Sequence, residues 1–145
     1  MEFPVRIPFV ESLGFELIRF DGEGSEIAVT LREDMCNSWS VAHGGVTMTL
    51  LDVVMAHAAR RGGNPPVDPS VGVVTIEMKT SFMRPGVGRL VGHGRLLHRT
   101  ASMAFCEARV LDPEGQLVAH ATGTFKYLTG LAVSGRKIRR NDASD

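Results

Sequence analysis

The sequence has few of the features that tie a protein to a membrane, a disulfide framework or a metal. Its two cysteines, Cys36 and Cys106, form no CxxC pair and no Cys/His pattern of a zinc site, so we expect two free thiols. The longest apolar run, residues 46–59, is shorter than the ~20 residues that span a bilayer and contains Asp52 and His57. The N-terminal segment MEFPVRIPFVE lacks the continuous apolar stretch of a signal peptide. These absences predict a cytoplasmic protein without a membrane-spanning segment.

An excess of charge is also missing, because sixteen basic residues balance sixteen acidic ones. A neutral chain has no overall field that draws it to nucleic acid or to an anionic membrane, so we expect neither as a partner. With 145 residues, of which 43% are hydrophobic, the chain is long enough for one ordinary domain with its own core. We assign the domain to residues 1–128 and a basic, polar, flexible tail to residues 129–145.

Several common catalytic and nucleotide-binding motifs are absent as well. No GxSxG occurs, which disfavours the nucleophile elbow of serine hydrolases. The segment GVGRLVG does not match GxGxxG and lies in an alternating strand pattern, and no P-loop is present. The five histidines form no HExxH, so the sequence implies no metal. They are His43, His57, His93, His98 and His120.

The hydrophobic pattern predicts two strands, one long helix and then four strands. Residues 13–20 and 25–31 read as a hairpin around the turn DGEG, and from Gly45 the apolar residues recur three and four apart as in a helix. That helix is expected to end near Arg60, Arg61 and Gly62. The later strands are expected at residues 71–85, 89–99, 102–111 and 116–128. One helix among antiparallel strands predicts an α+β domain whose sheet wraps around the helix.

The predicted helix carries one carboxylate, Asp52, within an apolar face. At helical spacing Gly45, Met48, Asp52, Met55 and Ala59 share this face. An unpaired buried carboxylate costs several kcal/mol and acquires either a raised pKa or specific partners. Asp52 is therefore a candidate catalytic residue, with pairing to a buried neighbour as the structural alternative.

A second candidate feature is the sequence His43-Gly44-Gly45 at the start of the helix. The free N–H groups and the positive end of the helix dipole form an anion site here, and glycine lets a ligand approach closely. Such a site can stabilise an oxyanion. Glycines that only make the turn, and a core histidine with one backbone hydrogen bond, remain the simpler alternatives.

Together these residues resemble a known pattern. Asn37-x5-His43-Gly44-Gly45-x6-Asp52, followed by TIEMKTSFMRPG, GRLVGHGRLLHRT and EARVLDPEGQLVAHATGTF, is similar to the hotdog-fold acyl-CoA thioesterases, in particular the phenylacetate-pathway (PaaI-like) subgroup. The resemblance extends over residues 13–128. It implies a helix wrapped by a curved antiparallel sheet, dimers or dimer-based tetramers, and hydrolysis of a CoA thioester without metal or cofactor.

The resemblance also assigns roles to individual residues. It places the catalytic carboxylate at Asp52, as nucleophile or general base, and the oxyanion donor at the Gly44 N–H. Asn37 and His43 take the positions of the helper residues, and Thr75 that of a Ser or Thr that positions water or the leaving thiolate.

The chain departs from the family at two points. Relatives that use Glu carry a Thr one turn later, where Ala56 stands here, so their detailed mechanism does not transfer. The loop before His43 usually contains a glycine but reads SWSVA here, and we expect Trp39 to reshape the pocket mouth.

Substrate contacts are predicted from charge and position. Gly45 is expected to lie against the substrate, and Arg84, Arg95 and Arg99 are candidates for the CoA phosphates, with solvated surface arginines as the alternative. Met48, Met55, Phe82 and Met83 are expected to set the pocket length.

The spacing of the two central residues predicts a shared site independently of the family. Gly44 and Asp52 are eight residues apart, which is about 12 Å along a helix axis. A reacting carbonyl must lie within about 3 Å of both groups. We therefore expect Asp52 of one subunit to meet Gly44 of another at a dimer interface. A non-catalytic acyl-CoA sensor and a hydratase of the same fold are the alternative functions.

Overall fold

One long helix lies against a curved antiparallel sheet in this computed structural model, which describes residues 1–130 and Arg139. The predicted α+β class, with a single long helix packed on the sheet, is confirmed. The predicted basic tail, residues 129–145, falls almost entirely outside the described residues. No helix within the described residues combines the length and the apolarity needed to cross a membrane. The two thiols, Cys36 and Cys106, are both free.

The elements follow the predicted order, with two short additions. A one-turn helix α1 begins at Pro8, where proline suits the first helical position, and a 3₁₀ turn covers Glu33–Met35. Neither was predicted, because both are much shorter than the window of about 11–18 residues in which helical spacing can be recognised. The elements are α1 Pro8–Ser12, β1 Glu16–Asp21, β2 Gly24–Thr30, α2 Gly44–Arg61, β3 Gly72–Phe82, β4 Arg89–Arg99, β5 Met103–Leu111 and β6 Leu117–Leu128.

The six strands form one sheet in the order β1-β2-β4-β5-β6-β3, and every neighbouring pair is antiparallel. Helix α2 follows β2 and carries the chain across the sheet, so β3 joins the far edge beside β6 rather than pairing with β2. Among the described residues no strand pairs with the outer side of β3, so its backbone groups there are available for pairing.

Small residues on the sheet let α2 approach it closely. An added Cβ at Gly94 of β4 would lie 2.4 Å from the carbonyl oxygen of Val54, and the Ser25 hydroxyl donates to the same oxygen at 2.5 Å. Around this point the helix buries Leu50, Leu51 and other apolar side chains against the sheet. Burial of this apolar area is the main force that holds α2 in place.

Strand β3 departs from the regular alternation predicted for it. The register with β6 shifts between Thr75 and Glu77, which makes Ile76 the extra residue of a bulge. Ile76 is consequently 53% exposed instead of facing the core with Met78. Before the bulge, the Thr75 side chain points toward the helix and reaches Asp52. The bulge thus brings a hydroxyl to the helix where plain alternation predicted an isoleucine.

Candidate active site

The first turn of α2 presents a free backbone donor. His43 is the N-cap residue, and its Nδ1 accepts the N–H of Gly45 at 2.9 Å, so a neutral ring carries its proton on Nε2. Gly44 is the first helical residue, so no helical carbonyl precedes it to accept its N–H. This N–H forms no hydrogen bond within the described residues. The Gly44 N–H is the group that the helix leaves available to a ligand. Gly45 is exposed, but its N–H is taken by the cap.

Asn37 organises the loop that precedes the helix. Its Oδ1 accepts the N–H groups of Trp39 at 2.9 Å and Val41 at 3.4 Å, and its backbone N–H donates to the Val41 carbonyl at 2.9 Å. Ser40 has φ of 60°, a left-handed conformation that is uncommon for a residue other than glycine. The Asn37 Oδ1 therefore holds the loop, which leaves its Nδ2 as the group able to contact substrate.

An open groove of about 670 Å³ runs past this helix terminus. Asn37 and Gly44 line it together with Arg84, whose Nη1 donates to the Leu117 carbonyl at 3.2 Å. The apolar lining comes largely from three exposed side chains, Trp39, Phe82 and Met83. The sequence had indicated these three, whereas Thr47, Pro85, Gly86 and Val118, which also line the groove, carried no signal in the pattern.

Asp52 and Thr75 form a second cluster. The Thr75 hydroxyl donates to Asp52 Oδ1 at 2.6 Å, a short contact typical of a hydroxyl and an ionised carboxylate. Burial raises the pKa of Asp52 above its ordinary value, and the Thr75 hydrogen bond opposes this with a smaller lowering. A half-buried carboxylate with a raised pKa and an oriented oxygen is suited to accept a proton or to attack a carbonyl.

The surroundings of Asp52 differ from the continuous apolar face that was predicted. Met55 and Ala59 are fully buried, but Met48 is 36% exposed and Gly45 lies at the surface. Asp52 is half-buried at the boundary between these two parts of the helix face. In the single chain the carboxylate is therefore accessible from the side on which β3 ends the sheet.

The structure does not bring all the predicted residues together. Asn37, Gly44 and Arg84 line the groove, whereas neither Asp52 nor Thr75 contributes to it. Asp52 lies eight residues beyond Gly44 on α2, about 12 Å along the axis. One chain thus holds two half-sites, each with part of the predicted chemistry.

Two of the predicted phosphate contacts lie elsewhere. Arg95 follows Gly94, which faces the helix, so its side chain projects from the opposite face of the sheet and pairs with Glu107. Arg99 donates to the carbonyls of Gly62 and Pro65 and secures the chain after α2. Both arginines have structural partners away from the half-sites, so Arg84 alone among the three lies beside the groove.

The buried histidine of α2 is separate from the half-sites. His57 is 1% exposed, its Nδ1 lies 2.7 Å from the Val53 carbonyl, and the rings of Phe3 and Phe20 approach it edge-on. Burial lowers the pKa of His57 to about 4, so the side chain is a neutral part of the core.

Comparisons with known proteins point to one family. The family model described as "Thioesterase superfamily" matches residues 40–119. The Pseudomonas aeruginosa protein PA0474 is 35% identical over 124 residues, covering 81% of this chain and 87% of that protein. The medium/long-chain acyl-CoA thioesterase YigI of Escherichia coli K12 is 27% identical over 136 residues, covering 85% of this chain and 87% of YigI.

Solved structures agree on the fold. The PaaI protein of the Escherichia coli phenylacetic acid degradation operon superposes with a TM-score of 0.73 at 20% identity, covering 83% of each chain. A match at this identity concerns the architecture, and it confirms the hotdog fold predicted from the motif. Because the family model covers more than half of the sequence and includes helix α2 with Gly44 and Asp52, the chain belongs to the thioesterase superfamily.

Proposed function

We propose that this protein is an acyl-CoA thioesterase that hydrolyses aryl- or medium-chain acyl-CoA to the free acid and CoA. The observation that carries the proposal is the pairing on one helix of a free N-terminal N–H, at Gly44, with a half-buried carboxylate of raised pKa, at Asp52. Oxyanion stabilisation and a base or nucleophile are the two functions that thioester hydrolysis needs. The names of PaaI and YigI support the two acyl classes as candidates.

Hydrolysis in this site has two possible routes for Asp52. As a general base, the carboxylate takes a proton from water while the hydroxide attacks the thioester carbonyl. As a nucleophile, it attacks the carbonyl directly and forms a mixed anhydride that water then cleaves. In both routes the C–S bond breaks, CoA leaves as a thiolate that takes up a proton, and the Gly44 N–H donates to the developing oxyanion. Thr75 holds the attacking carboxylate in position, and the reaction uses no metal or other cofactor.

The complete site is assembled from two copies of the chain. The axial distance between Gly44 and Asp52 is too long for one carbonyl to contact both, so each half-site needs the complementary half-site of a partner. The edge strand β3 supports pairing with a second copy, because no strand in the described part of the chain covers its outer side and its residues Ile76 and Phe82 are more than half exposed. The assembly is a homodimer or a tetramer built from such dimers.

A panel of acyl-CoA esters tests the activity. Wild-type protein should release free thiol from aromatic or medium-chain acyl-CoA, and Asp52→Asn should lower kcat by several orders of magnitude while binding is retained. Asp52→Asn keeps the side-chain volume and removes the basic oxygen. Wild-type protein that binds these esters without releasing thiol would favour the sensor function instead.

Subunit exchange tests the shared site. Asn37→Ala and Asp52→Ala impair different half-sites, so a mixed dimer contains one site with both lesions and one with neither. Random pairing makes half the dimers mixed, and about a quarter of wild-type activity should return. Mass tags establish that exchange has occurred, and each variant must be nearly inactive alone. A fully exchanged mixture that stays inactive would place the whole site within one chain.

A further inference from the structure

The only tryptophan of the chain is largely exposed to solvent and lines the groove. Trp39 is 83% exposed, the largest exposed fraction among the large hydrophobic side chains of the described residues. A tryptophan contributes more apolar area to burial than any other side chain, so its exposure leaves a large hydrophobic gain unused in the single chain. Such a residue beside a groove is suited to contact a ligand.

The loop holds Trp39 in this position rather than leaving it free to collapse. The Trp39 N–H is fixed by Asn37 Oδ1 at 2.9 Å, and the next residue, Ser40, donates its N–H to the Asn37 carbonyl at 3.0 Å. Ser40 adopts φ of 60° without the freedom of glycine, a conformation that persists only where surrounding contacts enforce it. The indole is therefore presented by a prearranged backbone, which reduces the entropy lost when it contacts a ligand.

The indole shares the groove with a second aromatic side chain and with the oxyanion donor. Phe82, 54% exposed, lines the groove with Trp39, and its ring lies 3.5 Å from the Cβ position of Gly44. A thioester whose carbonyl oxygen accepts from the Gly44 N–H therefore lies beside the Phe82 ring, in the groove that Trp39 also lines. Arg84 lines the same groove and keeps guanidinium N–H groups for the CoA part.

We propose that Trp39 is a specificity-determining residue that, with Phe82, selects acyl groups carrying an aromatic ring next to the thioester over aliphatic acyl groups of equal carbon number. The inference rests on the proposed function, because it uses the thioester carbonyl to fix the acyl group in the groove. Aromatic pairs gain energy beyond their buried area, which corresponds to a preference of roughly two- to tenfold per ring contact.

Thioether analogues separate this inference from catalysis. S-benzyl-CoA and S-heptyl-CoA carry the same number of carbon atoms beyond sulfur and have no bond that a thioesterase cleaves. Their affinities for the wild-type dimer are measured by calorimetry, and Trp39 fluorescence reports contact with the indole because no other tryptophan is present. Free CoA provides the reference for binding through the nucleotide and pantetheine alone.

We expect S-benzyl-CoA to bind more tightly than S-heptyl-CoA and to change the Trp39 emission, with free CoA leaving the emission unchanged. Trp39→Leu should reduce the benzyl-to-heptyl affinity ratio roughly two- to tenfold, and Trp39→Phe should restore part of it. Phe9→Leu is the matched control, because Phe9 is 60% exposed on α1 and does not line the groove. This control should leave the ratio unchanged.

The outcomes distinguish the two proposals. If acyl-CoA esters are not hydrolysed but the analogues bind with the Trp39-dependent preference, the thioesterase proposal fails and the specificity role stands. If esters are hydrolysed, but ligand binding does not change the Trp39 emission and Trp39→Leu does not change the affinity ratio, only the specificity role is overturned. A Trp39→Leu protein that no longer dimerises would make Trp39 an interface residue and overturn the inference. Absence of binding by both analogues would overturn the specificity role, and the hydrolysis assay would then decide the thioesterase proposal by itself.

Discussion

The free N–H of Gly44 can be removed without removing the helix. Gly44 is the first residue of α2, a position that proline tolerates because it needs no intrahelical donor. The preceding His43 has φ of −61° and ψ of 139°, the extended conformation that a residue before proline prefers. An added Cβ at Gly44 meets only the Phe82 ring at ordinary contact distance, 3.5 Å. Gly44→Pro is therefore expected to fold and to lack one defined hydrogen-bond donor.

The expected loss follows from the role of that donor. Deleting one oxyanion donor costs about 100- to 1000-fold in kcat, equivalent to about 3–4 kcal/mol of transition-state stabilisation. Gly44→Ala retains the N–H and adds the same Cβ, so it should lose less than about tenfold. The difference between the two variants separates the loss of the N–H from the effect of the added Cβ.

Steady-state thiol release with an accepted acyl-CoA measures both variants, and thermal unfolding verifies that α2 is intact. A lost oxyanion contact lowers kcat with KM nearly unchanged, whereas a steric obstruction by the proline ring raises KM. A folded Gly44→Pro protein with kcat within a few-fold of Gly44→Ala would refute the assignment of the Gly44 N–H as oxyanion donor. A loss confined to KM would show obstruction of the groove instead.

Two further predictions follow from groups whose pKa the fold displaces. Thr75→Val removes the hydrogen bond that lowers the pKa of Asp52, so that pKa should rise. The acid limb of the kcat/KM profile should then move to higher pH. If the limb does not move, the Thr75–Asp52 hydrogen bond is not present in the active enzyme. Burial lowers the pKa of His57 to about 4 in the folded chain, against about 6.5 for an exposed histidine, so the unfolded chain binds the extra proton between these pH values. The neutral His57 ring makes its full contribution to the free energy of unfolding above about pH 6.5. This contribution decreases toward pH 4, by about 3 kcal/mol at most. His57→Leu should flatten this part of the stability profile in denaturant unfolding, and an identical slope would show that other groups cause it.

Helices and strands could be predicted from the sequence where the hydrophobic pattern extends over enough residues to show its period. Alternation over whole strands placed β4 at its observed bounds, and three-and-four spacing ending at Arg61 located α2 to within a residue at each end. The position of β3 at the far edge was not readable, because its pairing with β6 depends on contacts between residues that are distant in sequence. The bulge at Ile76 could not be predicted either, since apolar and polar residues alternate around it as they do in a regular strand.

The candidate site shows the same division. The Asn37-to-Asp52 spacing suffices to nominate the groups, because residues on one helix and its N-terminal loop keep their relative positions. Charge could nominate Arg84, Arg95 and Arg99 but not show the face from which each side chain projects, and only Arg84 lines the groove in the single chain. For Arg95 the glycines before it indicate the orientation. Gly92 and Gly94 both face α2, and because side chains alternate along a strand, Arg95 faces away from the helix.

The geometry of β3 gives a physical reason for the proposed division of the site between two chains. Thr75 and Phe82, one from each half-site, lie on this strand about 23 Å apart at the rise of an extended chain. Within a chain that distance keeps the half-sites separate. Antiparallel pairing of two β3 strands about their midpoints would set the Thr75 end of one opposite the Phe82 end of the other, because an antiparallel two-fold exchanges the strand ends. Each Asp52 would then face the Gly44 groove of the other copy, and one contact along a free sheet edge would complete two sites at once.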